Sequence, residues 1–201
     1  MKKLFKLLSV SALLLGTVTV SNAQDKSSNK QSMTPSFGIK GGVNLATVTG
    51  SDFDSPDSRT SFHVGVVGEM PVADILSIQA EVLYSGQGFD FEPIPGGDKA
   101  EFQLDYINVP VLAKVYVFKG LSLEVGPQFG FLVNEKIDFK SGEDIELDSA
   151  KKFDVGVAGG LTFQTDMGLF ASGRYVYGVT DIYDDANIKN SVFQIGLGYK
   201  F

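Results

Sequence analysis

The sequence predicts an all-β chain, an eight-stranded antiparallel up-and-down transmembrane β-barrel, and three observations carry that prediction. Eight segments alternate large apolar residues with small or polar ones at a period of two. The connections between them are alternately long and short. Within the segments, ionisable side chains gather on one face and large apolar ones on the other.

Length and composition set the frame. At 201 residues the chain accommodates one domain and a leader. A formal net charge of −7 argues against a nucleic-acid partner, which calls for a basic stripe. Cysteine is absent, so disulfides and thiolate metal sites are excluded. No phosphate-cradling Gly loop opens a helix and no EF-hand spacing occurs, so neither a cofactor nor a metal ligand set is expected.

The elements follow in order. Met1 to Lys6 is basic, Leu7 to Val20 is apolar, and Ser21-Asn22-Ala23 offers a small-x-small cleavage site, so residues 1–23 read as a signal peptide. Residues 24–36, rich in Ser, Asn, Gln and Lys, read as a flexible periplasmic lead-in, and 37–201 as the barrel domain. Strands are expected at Phe37–Ala46, Ser61–Met70, Ile75–Gly86, Phe102–Phe118, Leu121–Val133, Lys152–Gln164, Leu169–Thr180 and Ser191–Phe201. The short connections are Pro71–Asp74, Lys119-Gly120 and Thr165–Gly168. The long ones are Thr47–Thr60, Gln87–Glu101, Asn134–Lys151 and Asp181–Asn190. Short turns on one side and longer loops on the other are the habit of bacterial outer-membrane barrels. The closing stretch SVFQIGLGYKF places Phe193, Ile195, Leu197, Tyr199 and Phe201 on one face and ends on an aromatic. Tyr199 and Phe201 are accordingly the candidate membrane-insertion signal for the barrel-assembly machinery.

The apolar face is expected to carry no charge. The opposite face carries Lys40, Glu69, Glu81, Lys114, Glu124, Asp154, Arg174 and Lys200, four of each sign. A cation facing mid-bilayer costs roughly 2–4 kcal/mol, so a membrane selects this segregation. A soluble lipocalin-like barrel turned the other way would show it too. Glycine separates the two cases, because Gly38, Gly42, Gly65, Gly126, Gly130, Gly156, Gly160, Gly178, Gly196 and Gly198 share the charged face. A solvent-facing sheet has no reason to favour Gly, whereas a narrow lumen filled by side chains does. The charged face is therefore expected inside, as a structural lumen network of paired ions that leaves no conducting path. Pro110 and Pro127, near one another across the Lys119-Gly120 turn, predict a bulge or distorted register.

Catalytic residues are not expected. His63 is the single histidine, reads as an inward lumen or rim residue, and lacks a spaced Ser/His/acid arrangement. The long connections are acidic, with Asp52, Asp54, Asp57, Asp90, Glu92, Asp98, Glu135, Asp138, Glu143, Asp144, Glu146, Asp148, Asp181, Asp184 and Asp185.

The motifs FGIKGGVNLA, SIQAEVLYSGQG, LDYINVPVLAKVY, LEVGPQFGFL, GRYVYGVTDI and IGLGYKF, in that order from Phe37 to the end, resemble the PorT-like outer-membrane β-barrel family, a Bacteroidetes-type barrel of the small OmpA/OmpX-like sort. The resemblance implies an integral barrel in the bacterial outer membrane with outer-membrane lipid as its surroundings. One branch of that family is linked to secretion, which makes envelope or secretion proteins possible partners. The expectation is a structural or interaction protein, not an enzyme, that displays acidic extracellular loops. The alternatives are a narrow porin-like or secretion-associated barrel and a lipid-modifying outer-membrane enzyme.

Overall fold

A computed structural model describes residues 34–50, 57–91, 100–139, 145–146, 150–183 and 187–201, within the unit Gln31–Phe201. The signal peptide, most of the lead-in, and the loop acids Asp52, Asp54, Glu92, Asp98, Glu143, Asp144, Asp148, Asp184 and Asp185 lie outside the described residues.

The described residues form nine strands: β1 (Ser36–Gly50), β2 (Asp57–Ala73), β3 (Leu76–Phe91), β4 (Ala100–Phe118), β5 (Leu121–Phe139), β6 (Ile145–Glu146), β7 (Phe153–Gln164), β8 (Leu169–Gly178) and β9 (Ile188–Lys200). All pairings are antiparallel, in the order β4-β3-β2-β1-β9-β8-β7-β5-β6, and β4 also pairs with β5. That last pairing closes the sheet into an eight-stranded cylinder, with the two-residue β6 appended to β5. Closure removes the sheet edges that would otherwise expose unpaired N–H and C=O groups, which lipid cannot satisfy. The seam runs from Gly38↔Lys200 to Gly50↔Ile188, and the Phe201 amide donates to the Phe37 carbonyl at 2.8 Å.

Two short turns fall where the sequence places them, at 119–120 and 165–168; the first is tighter than the expected Pro71–Asp74, at 74–75, because β2 runs on to Ala73. Gly120 and Gly168 adopt φ of 81° and 88°, the left-handed region that a side chain disfavours, so the tight reversals require Gly there. At the other end the strands run further than expected: β2 begins at Asp57, β3 continues to Phe91 and β5 to Phe139. Asp57, Asp90, Glu135 and Asp138 therefore belong to strands and not to loops.

Inside and outside are as the alternation demands through most of the wall. Ile39, Val66, Leu123, Val125, Val157, Leu161, Ile195 and Leu197 are exposed outward in a continuous apolar belt, while seven of the eight ions of the expected lumen set are buried. A belt of that extent is untenable in water and calls for acyl chains.

The expectation of a charge-free outer face holds only up to a definite height. On β4 the outward row Val111, Val109, Ile107 gives way above to Asp105, Gln103 and Glu101. The inward row changes oppositely, from Lys114 through Asn108 to Tyr106, Leu104 and Phe102, which are buried. Those three join Val48, Phe89, Ala150, Ile182 and Ile188 in an apolar cluster that fills the long-loop mouth. Segments outside the barrel wall complete it: the Lys151 amide bonds the Ile182 carbonyl, and the Ile182 amide that of Ile188, each at 2.8 Å. On β4 the sheet above the belt thus has the polarity of a water-soluble protein, and the switch between Ile107 and Asp105 is the upper edge of the apolar belt on that strand.

The two prolines distort the ladder less than predicted. Pairing lapses between Pro110↔Gln128 and Ala113↔Val125, and between Ala80↔Val111 and Leu83↔Asn108, but the register is the same on both sides of each gap. Proline withholds a ladder donor without inserting a residue, so strand bonding is interrupted and no bulge forms. The actual register shifts on β4 lie at Asp105/Tyr106 and Tyr116/Phe118.

Candidate functional site

The inward rows of β1, β2, β3, β4, β5, β8 and β9 bring Lys40, Glu69, Glu81, Lys114, Glu124, Arg174 and Lys200 together in the lower and middle bore. The centre is Arg174, 1% exposed. Its guanidinium donates to Glu81 Oε2 and Oε1 at 2.8 and 2.7 Å and, through Nε, to Glu124 Oε1 at 2.8 Å. A planar fork matches a carboxylate edge, which is why this geometry is held by Arg and not Lys. Lys40 approaches Glu81 at 3.5 Å, and Thr162 Oγ1 donates to the second Glu124 oxygen at 3.0 Å.

Nearer the short turns Glu69 is the centre. It accepts from Lys114 at 3.1 Å and also from Lys200 and the Tyr116 hydroxyl. Gln79 joins the tiers: its Nε2 donates to Glu81 at 2.6 Å, while its Oε1 accepts from Lys114 at 3.1 Å and Lys200 at 3.2 Å. Gln164 accepts a further bond from Lys200 at 3.1 Å. Burying an ion strips its hydration, so each carboxylate here is stabilised only because two or more donors reach it.

Asp154 departs from the expected set. It lies higher in the bore, where Thr180 Oγ1 donates to it at 2.6 Å and Asn190 Nδ2 at 3.2 Å. The connected network therefore has four cations and three carboxylates. Gln79, Tyr116, Thr162 and Gln164 are the members that charge alone does not reveal. Their signal in the sequence is their place on the inward parity of strands otherwise populated by ions.

Glycine serves the bore in two ways. A Cβ on Gly65 would strike the β3 backbone at Val82, so this Gly lets two strands press together where the wall curves. At Gly198 a Cβ would strike the Phe170 ring as well as the Ile39 carbonyl, which is the space-making role expected of lumen Gly.

His63 is buried as predicted, and its Nδ1 lies 2.8 Å from Asn44 Oδ1. Asn44 Nδ2 faces the Phe62 carbonyl, Ser85 Oγ and the Gly86 carbonyl at 3.2, 2.9 and 2.7 Å. Three acceptors fix that amide, so Oδ1 is the acceptor and His63 donates through Nδ1. Tyr199 and Phe201 face outward, with Phe201 76% exposed beside the seam. Among the described residues, no group of His, Asp or Glu is arranged to hold a metal ion.

Comparison with known proteins agrees with this architecture. The model of the outer membrane protein beta-barrel domain family matches residues 22–184. No curated protein sequence matches the chain. Among solved structures, Ail, the attachment invasion locus protein of Yersinia pestis, is 15% identical, with a TM-score of 0.54 over 84% of this chain and 100% of Ail. Neisserial surface protein A is also 15% identical, with a TM-score of 0.60 over 84% of this chain and 99% of its own. At such identity the likeness establishes the fold alone. With a closed eight-stranded cylinder, a lipid-facing belt and a family match over most of its length, the chain belongs to the outer membrane protein β-barrel domain family and resides in the bacterial outer membrane.

Proposed function

We propose that the barrel is a structural or interaction protein that anchors an acidic sheet at the cell surface and has a lumen closed by paired charges. The observation that carries this reading is the polarity inversion on β4. Above Ile107 the outer face bears Asp105 and Glu101, and β2, β3 and β5 add Asp57, Asp90 and Asp138, against Arg59, Lys136 and, on β9, Lys189. Arg59 is already engaged with Glu101 at 3.3 Å, and Lys136 lies 3.9 Å from Asp138. These acidic side chains are presented on strands with an apolar core behind them, a firmer platform than loops. The structure of Ail with a heparin analogue concerns a polyanionic ligand. An acidic face repels such a ligand, so a basic partner is the better match here.

The closed lumen belongs to the same reading. Arg174, Lys114, Tyr106 and Phe170 occupy the bore as buried side chains, and the apolar cluster lies above them. This reading assigns no catalysis, because His63 is buried on the inner face of the wall, away from the lipid. The motif order resembling the PorT-like family supports an envelope or secretion protein as the kind of partner, with the barrel-assembly machinery as the partner during insertion of this chain.

The test is surface crosslinking and co-purification from native outer membranes. A partner should be recovered with the native chain and lost when Glu101, Asp105 and Asp138 are changed to Asn or Gln. Purified barrel in planar bilayers should show no unitary conductance. Steady channels, or a change in lipid A mass that depends on His63, would overturn the proposal.

A further inference from the structure

Between the charge network and the apolar mouth the bore passes through a neutral layer whose hydrogen bonding the protein leaves incomplete. The order repeats on several strands: Lys40, then Asn44, then Val48 on β1; Lys114, Asn108 and Leu104 on β4; Lys200, Gln194 and Ile188 on β9; Glu69 and His63 on β2. Asn44, His63 and Gln194 stand on the adjacent strands β1, β2 and β9, and Asn108 and Gln128 on β4 and β5 at the opposite side of the cylinder. All five are at most 5% exposed.

Five atoms in this layer have no partner within the protein: His63 Nε2, Gln194 Oε1, Gln128 Oε1, and both Nδ2 and Oδ1 of Asn108. Reorienting amides does not cure this. Asn108 is unpaired either way round, and Gln194 is fixed because its Nε2 donates to Asn44 Oδ1 at 3.1 Å. His63 is fixed as well, since it donates through Nδ1 and so presents the Nε2 lone pair to the bore. With the Gln128 amide as placed, four orphans are acceptors and one is a donor. Leaving one buried polar group unmet is costly, and five in one layer call for a guest. Glycine leaves ground for it: around the position of a Gly196 Cβ lie His63 Nε2 and Lys40 Cε at 3.0 Å and Ser172 Oγ at 3.1 Å. Beside Gly130 the same position is 3.0 Å from Asn108 Oδ1.

A surplus of acceptors suits either a small cation or water. The network directly below decides between them, because its four cations already outnumber its three carboxylates, and a further positive charge there would be repelled. We propose that the layer is a closed hydration site, in which roughly two or three ordered waters donate to His63, Gln194, Gln128 and Asn108 and accept from Asn108 Nδ2. The layer is then a wet but ion-excluding floor beneath a dry cap.

Two measurements on the full-length barrel test this. Crystals grown in rubidium salt should show ordered water within hydrogen-bonding distance of His63 Nε2 and the Asn108 amide, with no rubidium anomalous peak. A rubidium peak on the four acceptors, or an empty layer, overturns the proposal. Asn108→Leu, a change close to isosteric, gives opposite signs in the two cases. In a dry layer it removes an unmet polar group and raises the melting temperature. In a hydrated layer it strands water and lowers it, by roughly 3 °C for a chain of this size. An unchanged or raised midpoint overturns the proposal, and if the variant does not assemble the crystallographic result stands alone.

Discussion

Arg174 on β8 holds Glu81 on β3 through two parallel hydrogen bonds of 2.8 and 2.7 Å, although three strands separate β8 from β3 in the wall. The pair is a strut across the bore. It ties opposite sides of the cylinder together in a way the ladder between neighbouring strands cannot.

Breaking that strut leaves buried carboxylates short of a cation. Arg174→Met should lower stability by about 3–5 kcal/mol, read as a shift in the urea midpoint of refolded barrel in vesicles. Adding Glu81→Leu and Glu124→Leu should restore much of the loss, because the cost lies in the stranded charges. A triple variant no more stable than Arg174→Met alone would show that the network is not what the single change removes.

The boundary between Ile107 and Asp105 makes a prediction within a single strand. Val111→Arg places a cation in the lipid-facing belt and should cost roughly 2–4 kcal/mol, whereas Gln103→Arg, on the same face of β4 but above the belt, should cost about 0–1 kcal/mol. Equal costs at the two sites would move the edge of the bilayer elsewhere.

Glycine positions should respond according to what stands beside them. Gly198→Ala would drive a methyl group into the Phe170 ring and the Ile39 carbonyl and should destabilise by about 1–3 kcal/mol. Gly173→Ala has nothing within 4 Å of the added atom and should stay within roughly 0.5 kcal/mol of the parent. Thermal unfolding of the two variants side by side checks the contrast.

Tyr199 and Phe201 present their rings outward next to the seam. Changing both to Ser should reduce the heat-modifiable, folded fraction in the outer membrane several-fold, while spontaneous refolding of the same variant into thin-lipid vesicles stays near parental yield. An equal loss in both assays would assign the pair to stability instead of insertion.

Much of this molecule is legible in its alternation, because each strand of the belt pairs an obligatory apolar position with an inward one. Lys40 beside Ile39 and Lys200 beside Tyr199 declare their faces with no knowledge of any partner strand. What alternation does not encode is stagger. Whether Arg174 meets Glu81 or Asp154 depends on how far each strand is displaced along its neighbour, and that is set by register around the whole cylinder. Parity also says nothing about which medium a face meets. Leu104 and Phe102 follow the same period of two as Lys114, yet above the lipid they are the ones that must be hidden. Asp105 shares a face with Val111 for the same reason.

The seam between β1 and β9 joins the two ends of the barrel domain, the strand pair most distant in sequence. Its closure carries the largest loop entropy of any pairing in the wall, while every hairpin can form locally. A chain that has made all its hairpins but not this one is still an open, curling ribbon with two raw margins. Delivery to the membrane must therefore protect those margins until the last strand meets the first, and assembly becomes an all-or-none event decided at a single zipper.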